Sequence, residues 1–159
     1  MKREAKRLEL IGQLLRAEST IALATTDEQG TPCVAPLFYV VDDELNLYWL
    51  SSANSTHSCN LNRSPVASAA VYRHTEKWKE ICGVQMRGRV EVIADPERRS
   101  ALVKEYCTRF NLGSVLRLAI GRATLYQFQP EWFRYLDNSK RLGYRFEVVR
   151  GSAPELILP

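Results

Sequence analysis

At 159 residues, 45% hydrophobic and 25% charged, the chain has the size and balance of one globular domain that buries roughly two-thirds of its unfolded surface. The net charge of +4 is spread among mixed signs, which permits an anionic ligand without demanding one. No apolar run approaches the ~20 residues that cross a bilayer, and the amphipathic start MKREAKRLELIGQLLRAES has no secretory signal core, so a soluble cytoplasmic protein is expected.

Taken in order, the chain opens with an N-terminal helical segment, 1–18. There Leu8, Ile11, Leu14 and Leu15 recur at helical spacing from Lys2 to Ala17. Thr20 to Thr26 predicts a buried strand, Asp27-Glu28-Gln29-Gly30 a turn, and Thr31 to Val41 the returning strand. Pro32 and Pro36 cannot donate to a ladder, so this second strand is expected at an edge or bulged around Pro36. Its backbone could meet a flat ligand, or it could simply be an edge blunted by proline.

After the turn Asp42-Asp43-Glu44, the stretch LNLYWLSSANSTHSCNL begins as a strand and turns polar all at once. A strand running through Ser51, Ser52, Ser55, Thr56 and His57 into a helix start is a natural anion seat. First-turn N–H groups lack intrahelical partners, and the dipole there is positive. Simple capping by Asn54 or Ser55 explains the same residues, and the absence of a glycine run excludes a nucleotide P-loop.

Val66 to Tyr72 and Ile81 to Ile93 predict two more strands, with Gly83 and Gly88 marking bends or close approaches of another backbone. Five strands joined by short turns point to an antiparallel meander or small barrel. Asp95-Pro96-Glu97 starts a helical insertion over 95–120, with Ser114 capping its second helix. Ala123 to Gln129, Pro130 to Tyr135 and Tyr144 to Val149 predict the last strands, and 151–159 a loose tail. The whole of 1–159 reads as a single, mainly β domain with helical additions.

The four cysteines, Cys33, Cys59, Cys82 and Cys107, are each more than twenty residues from the next, too far apart for a zinc knuckle. No metal is expected. Each thiol reads as a small, reduced hydrophobe, with Cys59 the one worth testing as a nucleophile.

The hairpin ATTDEQGTPCVAPLFYVV, the segment STHSCNL after a strand, the strand GVQMRGRVEVI and the closing FRYLDNSKRLGYR together resemble the pyridoxamine 5′-phosphate oxidase-like, FMN-binding split-barrel proteins. The likeness runs from about Thr20 to Arg145 and is closest to small bacterial members of unassigned role. It implies a six-stranded antiparallel split β-barrel that forms a homodimer, with two FMN molecules in clefts shared by both subunits. By that resemblance Val34, Ala35, Pro36 and Leu37 run along the flavin ring. Leu50, Ser51 and Ser52 lie beside the ribityl chain and phosphate, and Ser55, Thr56 and His57 hold the phosphate. Gln85 reaches the ring across the interface, and Trp132 is the aromatic beside it.

The family's basic pair at the phosphate is here Thr56 and His57. Histidine that is neutral at pH 7 gives a hydrogen bond but little Coulomb attraction, although a nearby phosphate would raise its pKa. Arg73, Arg87, Arg89 and Arg145 are the cations available to compensate. The arginine and histidine set that holds the substrate phosphate in true pyridoxamine phosphate oxidases is missing, which argues against vitamin B6 synthesis.

The first function implied is an FMN-dependent oxidoreductase with an unidentified small-molecule substrate. The alternative is a non-catalytic flavin or haem carrier or sensor, for which His57 and His74 are the only imidazoles. A nucleic-acid binder using Lys77, Trp78, Lys79 and the strand Met86–Val90 ranks last, since no RNP-like or helix-turn-helix signature accompanies them.

Overall fold

The computed structural model describes residues 2–150. They form α1 (Lys2–Ala17), β1 (Thr20–Thr26), β2 (Pro32–Phe38), β3 (Val40–Val41), β4 (Leu47–Ser51), α2 (Thr56–Arg63), β5 (Val66–Tyr72), β6 (Cys82–Val92), α3 (Pro96–Arg109), α4 (Ser114–Gly121), β7 (Thr124–Asp137) and β8 (Arg145–Val149). The tail expected at 151–159 lies outside the described residues, as does the side chain of Ser114, the expected cap of α4.

The eight strands make one antiparallel sheet in the order β2-β1-β5-β6-β7-β4-β3, with β8 beside β7. The class is the predicted one, mainly β and barrel-like with a few helices, although two more strands are resolved than the six implied. Of the two arrangements open from sequence, meander or small barrel, the barrel-like one stands: β4 passes over β5 and β6 and pairs with β7, from Leu47↔Phe128 to Ser51↔Thr124. Across this pair Trp49 stacks on Tyr126 with ring centroids 5.6 Å apart, a cross-strand contact that supports the register. As Pro32 and Pro36 predict, β2 is an edge strand, with β1 its sole partner.

Two predicted strand boundaries move for local reasons. The returning strand divides at Tyr39, whose buried hydroxyl donates to the Leu15 carbonyl at 2.6 Å. Leu45 is not in a strand; it sits at φ 59° in a turn whose backbone and side chains Asp42 anchors, and its buried side chain holds it in that disfavoured region.

Two predicted strands fuse into β7, which carries a β-bulge where they were expected to separate. Arg87 faces Trp132 and Gly88 faces Pro130, so Glu131 is the extra residue. The bulge inverts the alternation of β7. Before it, Tyr126 and Phe128 point into the core; after it, Phe133 and Tyr135 do. Proline lacks the N–H that a regular ladder requires, which suits it to this place. Along its free side β7 pairs first with β4 and, beyond the bulge, with β8.

One side of the sheet holds the main core, including Ile11 and Leu15 from α1 with Leu23, Trp49, Met86, Phe128 and Phe133. A second cluster, Val40, Tyr48, Ile93, Tyr106 and Leu125, covers part of the opposite side beneath α3 and α4. The α3 start is as the sequence predicts: the Asp95 carboxylate accepts from the Arg98 amide at 2.7 Å, and Pro96 occupies the first turn. Over β1, β5, β6 and the second half of β7, the outer side is left open.

Candidate functional site

The predicted residues divide between two places. The first is the junction of β4 and α2. Ser55 caps α2 with extended φ and ψ, its side chain accepting from the Ser58 amide. The Ser55 hydroxyl also reaches the Ser52 carbonyl at 2.9 Å and the Ser58 hydroxyl at 2.8 Å. The His57 side chain folds back over this turn, placing Nε2 2.7 Å from the Ser51 hydroxyl and 3.0 Å from that of Ser55. His57 is 8% exposed, and burial pushes its pKa below the usual histidine value, so it is neutral at pH 7.

Of capping and anion binding, the alternatives from sequence, the structure shows the cap. The amides of Thr56 and His57, in the first turn, lie beyond the reach of intrahelical acceptors. Ser52 and Thr56 are exposed around them. Leu50 takes no side-chain part, since it packs against the second core cluster.

The second place is a groove of about 510 Å³ on the open outer side of the sheet. Strand register builds it from two rungs. One runs Val34, Ala24, Ser68, Arg87, Trp132, Val149; the other runs Pro36, Ala22, Ala70, Gln85, Arg134, Glu147. Small residues on β1 and β5 make the floor, and β6 and β7 supply a polar, aromatic wall. The Arg87 guanidinium lies 4.1 Å from the Trp132 ring centroid, and that of Arg134 lies 5.2 Å from it. Glu147 accepts from Arg134 Nε at 2.9 Å and from Trp132 Nε1 at 3.2 Å, and these bonds hold its carboxyl below the usual glutamate range.

Val34, Gln85 and Trp132 therefore share the groove, whereas Ser51, Ser55 and His57 share the helix turn, and the groove's lining includes none of the turn's residues. Pro36 is on the groove's second rung but borders a smaller pocket of about 220 Å³ with Tyr72 and His74. Ala35 and Leu37 face the other side of β2, where Leu37 packs on the main core; only their backbone can border a ligand.

Of the four arginines left open by sequence, Arg87 faces the groove, while Arg73 approaches Glu18 at 3.9 Å. Arg134 was not anticipated. Unbroken alternation from Tyr126 would have pointed it the wrong way, and mid-strand Pro130 was the signal of the inversion. Lys77 is occupied by Glu80 at 3.1 Å. Among the described residues no cluster of potential metal ligands occurs, and no helix is long and apolar enough to cross a membrane.

The family model described as pyridoxamine 5′-phosphate oxidase matches residues 9–137. Among curated proteins there is no sequence match. Among solved structures, the conserved hypothetical protein Rv2991 from Mycobacterium tuberculosis is 21% identical, with a TM-score of 0.73 over 92% of this chain and 93% of its own. HutZ, the haem storage protein of Vibrio cholerae, is 20% identical, with a TM-score of 0.66 over 77% and 89%. ChuZ of Campylobacter jejuni is 12% identical, with a TM-score of 0.78 over 91% of this chain and 60% of its own. At these identities the structural likeness is one of fold.

Proposed function

The chain belongs to the pyridoxamine 5′-phosphate oxidase family, and on that premise we propose that it is an FMN-binding homodimer acting as an oxidoreductase on a small molecule. The observation that carries this reading is the hydroxyl–imidazole turn of Ser51, Ser55 and His57 at the start of α2. Hydroxyls, first-turn amides and the positive helix end suit a phosphate in kind. They fall short in charge, because His57 is buried neutral and the cation in the last turn of α2, Arg63, is paired with Glu28 at 2.7 Å.

Phosphate would be held by Ser51, Ser55, His57 and the amide of Thr56, with Ser52 toward the ribityl chain. The edge of β2 from Val34 to Leu37 would offer backbone donors and acceptors to the ring, and the prolines interrupt that edge. Gln85 and Trp132 would approach from a second copy. Val34, Phe38 and Tyr72 are 68%, 56% and 63% exposed, more apolar surface than an isolated sheet face comfortably leaves in water. A second copy over this face would cover them and bring the two halves of the site together. When bound, FMN supplies the hydride and electron chemistry; the chain's task is to orient the cofactor and exclude water.

The second reading, a haem carrier or sensor, draws on the fold shared with HutZ. Its weakness is the ligand. His57 Nε2 is engaged by two serines, and His74 is exposed on a loop.

A visible spectrum of the purified protein tests both. Two flavin bands, or their appearance on adding FMN, support the first reading; a Soret band supports the second. Colourless protein that takes up neither group overturns both. Anaerobic bleaching by NADH or NADPH then separates an enzyme from a carrier.

A further inference from the structure

Two loops close the sheet at the end where β6 begins and β7 finishes: residues 73–81, joining β5 to β6, and residues 138–144, joining β7 to β8. Asn138 ties them together. Its backbone N–H donates to the Ile81 carbonyl at 2.9 Å, and its side-chain amide donates to the Trp78 carbonyl at 3.0 Å. Its side-chain oxygen accepts from the Gly143 amide at 2.9 Å. Asp137 stiffens the second loop, accepting from the Ser139 amide and hydroxyl at 3.0 and 2.6 Å. Gly143 closes that loop at φ 71°, a region glycine enters without strain.

This braced frame displays apolar side chains. Trp78 is 78% exposed and Leu142 74%, each on a loop that the Asn138 side chain holds. Large apolar groups presented to water in this way mark a docking surface, and a loop already ordered loses little entropy on docking. The charge around them is one-sided. Residues 73–81 and 138–144 carry five Lys or Arg against two Glu, a surplus of three within the chain's +4. Glu80 is bonded to Lys77 at 3.1 Å, and Glu76 is the remaining acid of the two loops. Lys79, Lys140 and Arg141 are exposed, as is Arg145 at the start of β8.

We propose that this end of the sheet docks the protein reversibly on an anionic lipid bilayer. Trp78 and Leu142 enter the headgroup boundary, and Lys79, Lys140, Arg141 and Arg145 meet the negative headgroups. Leu142 favours this occupant over a nucleic acid. A base can stack on Trp78, but an aliphatic side chain offers no stacking face, and single strands are tracked along grooves rather than at loop ends. None of the residues assigned to the cofactor lies on these loops, so the proposal stands apart from the flavin reading.

The test sediments the intact protein with vesicles of phosphatidylcholine alone and of phosphatidylcholine containing phosphatidylserine. Wild type should bind the anionic vesicles about tenfold more tightly than the neutral ones, and added salt should release it. Tryptophan emission should shift to the blue on binding, a shift that W78F removes while Trp49 and Trp132 remain. L142S should weaken binding about tenfold, and K79Q and R141Q about fivefold each, with Tm and elution volume unchanged.

Equal binding to the two kinds of vesicle, or binding to neither, overturns the proposal. So does L142S protein that binds anionic vesicles as wild type does. Tighter binding of a single-stranded oligonucleotide than of anionic vesicles, at matched phosphate concentration, would overturn it by assigning the loops to nucleic acid. A change of elution volume in L142S would overturn it too, by assigning them to a contact with a second copy.

Discussion

The helix turn at Ser51–His57 and the groove at Arg87 gather polar side chains in opposite ways. The turn is built from neutral donors within seven consecutive residues, already bonded to one another and half withdrawn from water. The groove is built from two guanidinium groups on two strands, Arg134 bonded to Glu147 and Arg87 within the field of the same carboxylate, on an open sheet face. A neutral seat gives geometric selectivity with weak Coulomb attraction, whereas a guanidinium gives attraction with looser geometry.

The sharpest way to break the comparison is at Gly88. G88A forces a methyl group against the Gln129 carbonyl, so the β6–β7 pair must separate where Arg87 and Trp132 are aimed. A loss of about 3 kcal/mol in urea denaturation is expected. A stability near that of wild type would mean the bulge does not hold the groove.

Next comes S55A, which removes the α2 cap and one of the two hydroxyls on His57. It should cost about 1 kcal/mol of stability and weaken FMN about tenfold on titration.

H57Q is smaller and is read through pH. Burial lowers the pKa of free His57, whereas a phosphate beside it would raise it, so binding takes up a proton and wild-type affinity should fall as pH rises from 6 to 8. H57Q titrated in parallel removes the phosphate's own ionisation from the difference, expected at a few-fold. For folding without ligand the sign runs the other way. The native state binds fewer protons than the unfolded chain, so stability is complete above about pH 6.5 and lost as pH falls below it. Melting curves at pH 5.5 and 7.5 should show a gap that narrows in H57Q.

E147Q closes the series. Its pairing with Arg134 is exposed, so Tm should not move measurably.

How much of this was legible in the sequence follows from how far apart the cooperating residues lie. The turn could be read directly, because Ser51, Ser55 and His57 are neighbours and the Ser55 cap is a local preference. The edge position of β2 followed from its prolines, and the start of α3 from Asp95 and Pro96. The pairing of β4 with β7 was beyond reach, since Leu47–Ser51 meets Thr124–Phe128 across a long stretch of chain. Arg87 appeared only as one of four, because choosing it requires the registers of three strand pairs. Arg134 was concealed by the parity change at Glu131.

The way β7 divides its free side has a consequence for how the chain is made. On the ribosome β4 has only the two-residue β3 beside it until Thr124–Phe128 emerges, and α1 gains the contact of Arg7 with the Glu147 carbonyl last. Contacts of such long range slow folding toward the millisecond-to-second regime and leave apolar side chains such as Ile11, Leu15 and Trp49 uncovered during elongation. Nascent chains released before β8 emerges should therefore be the species that chaperones hold.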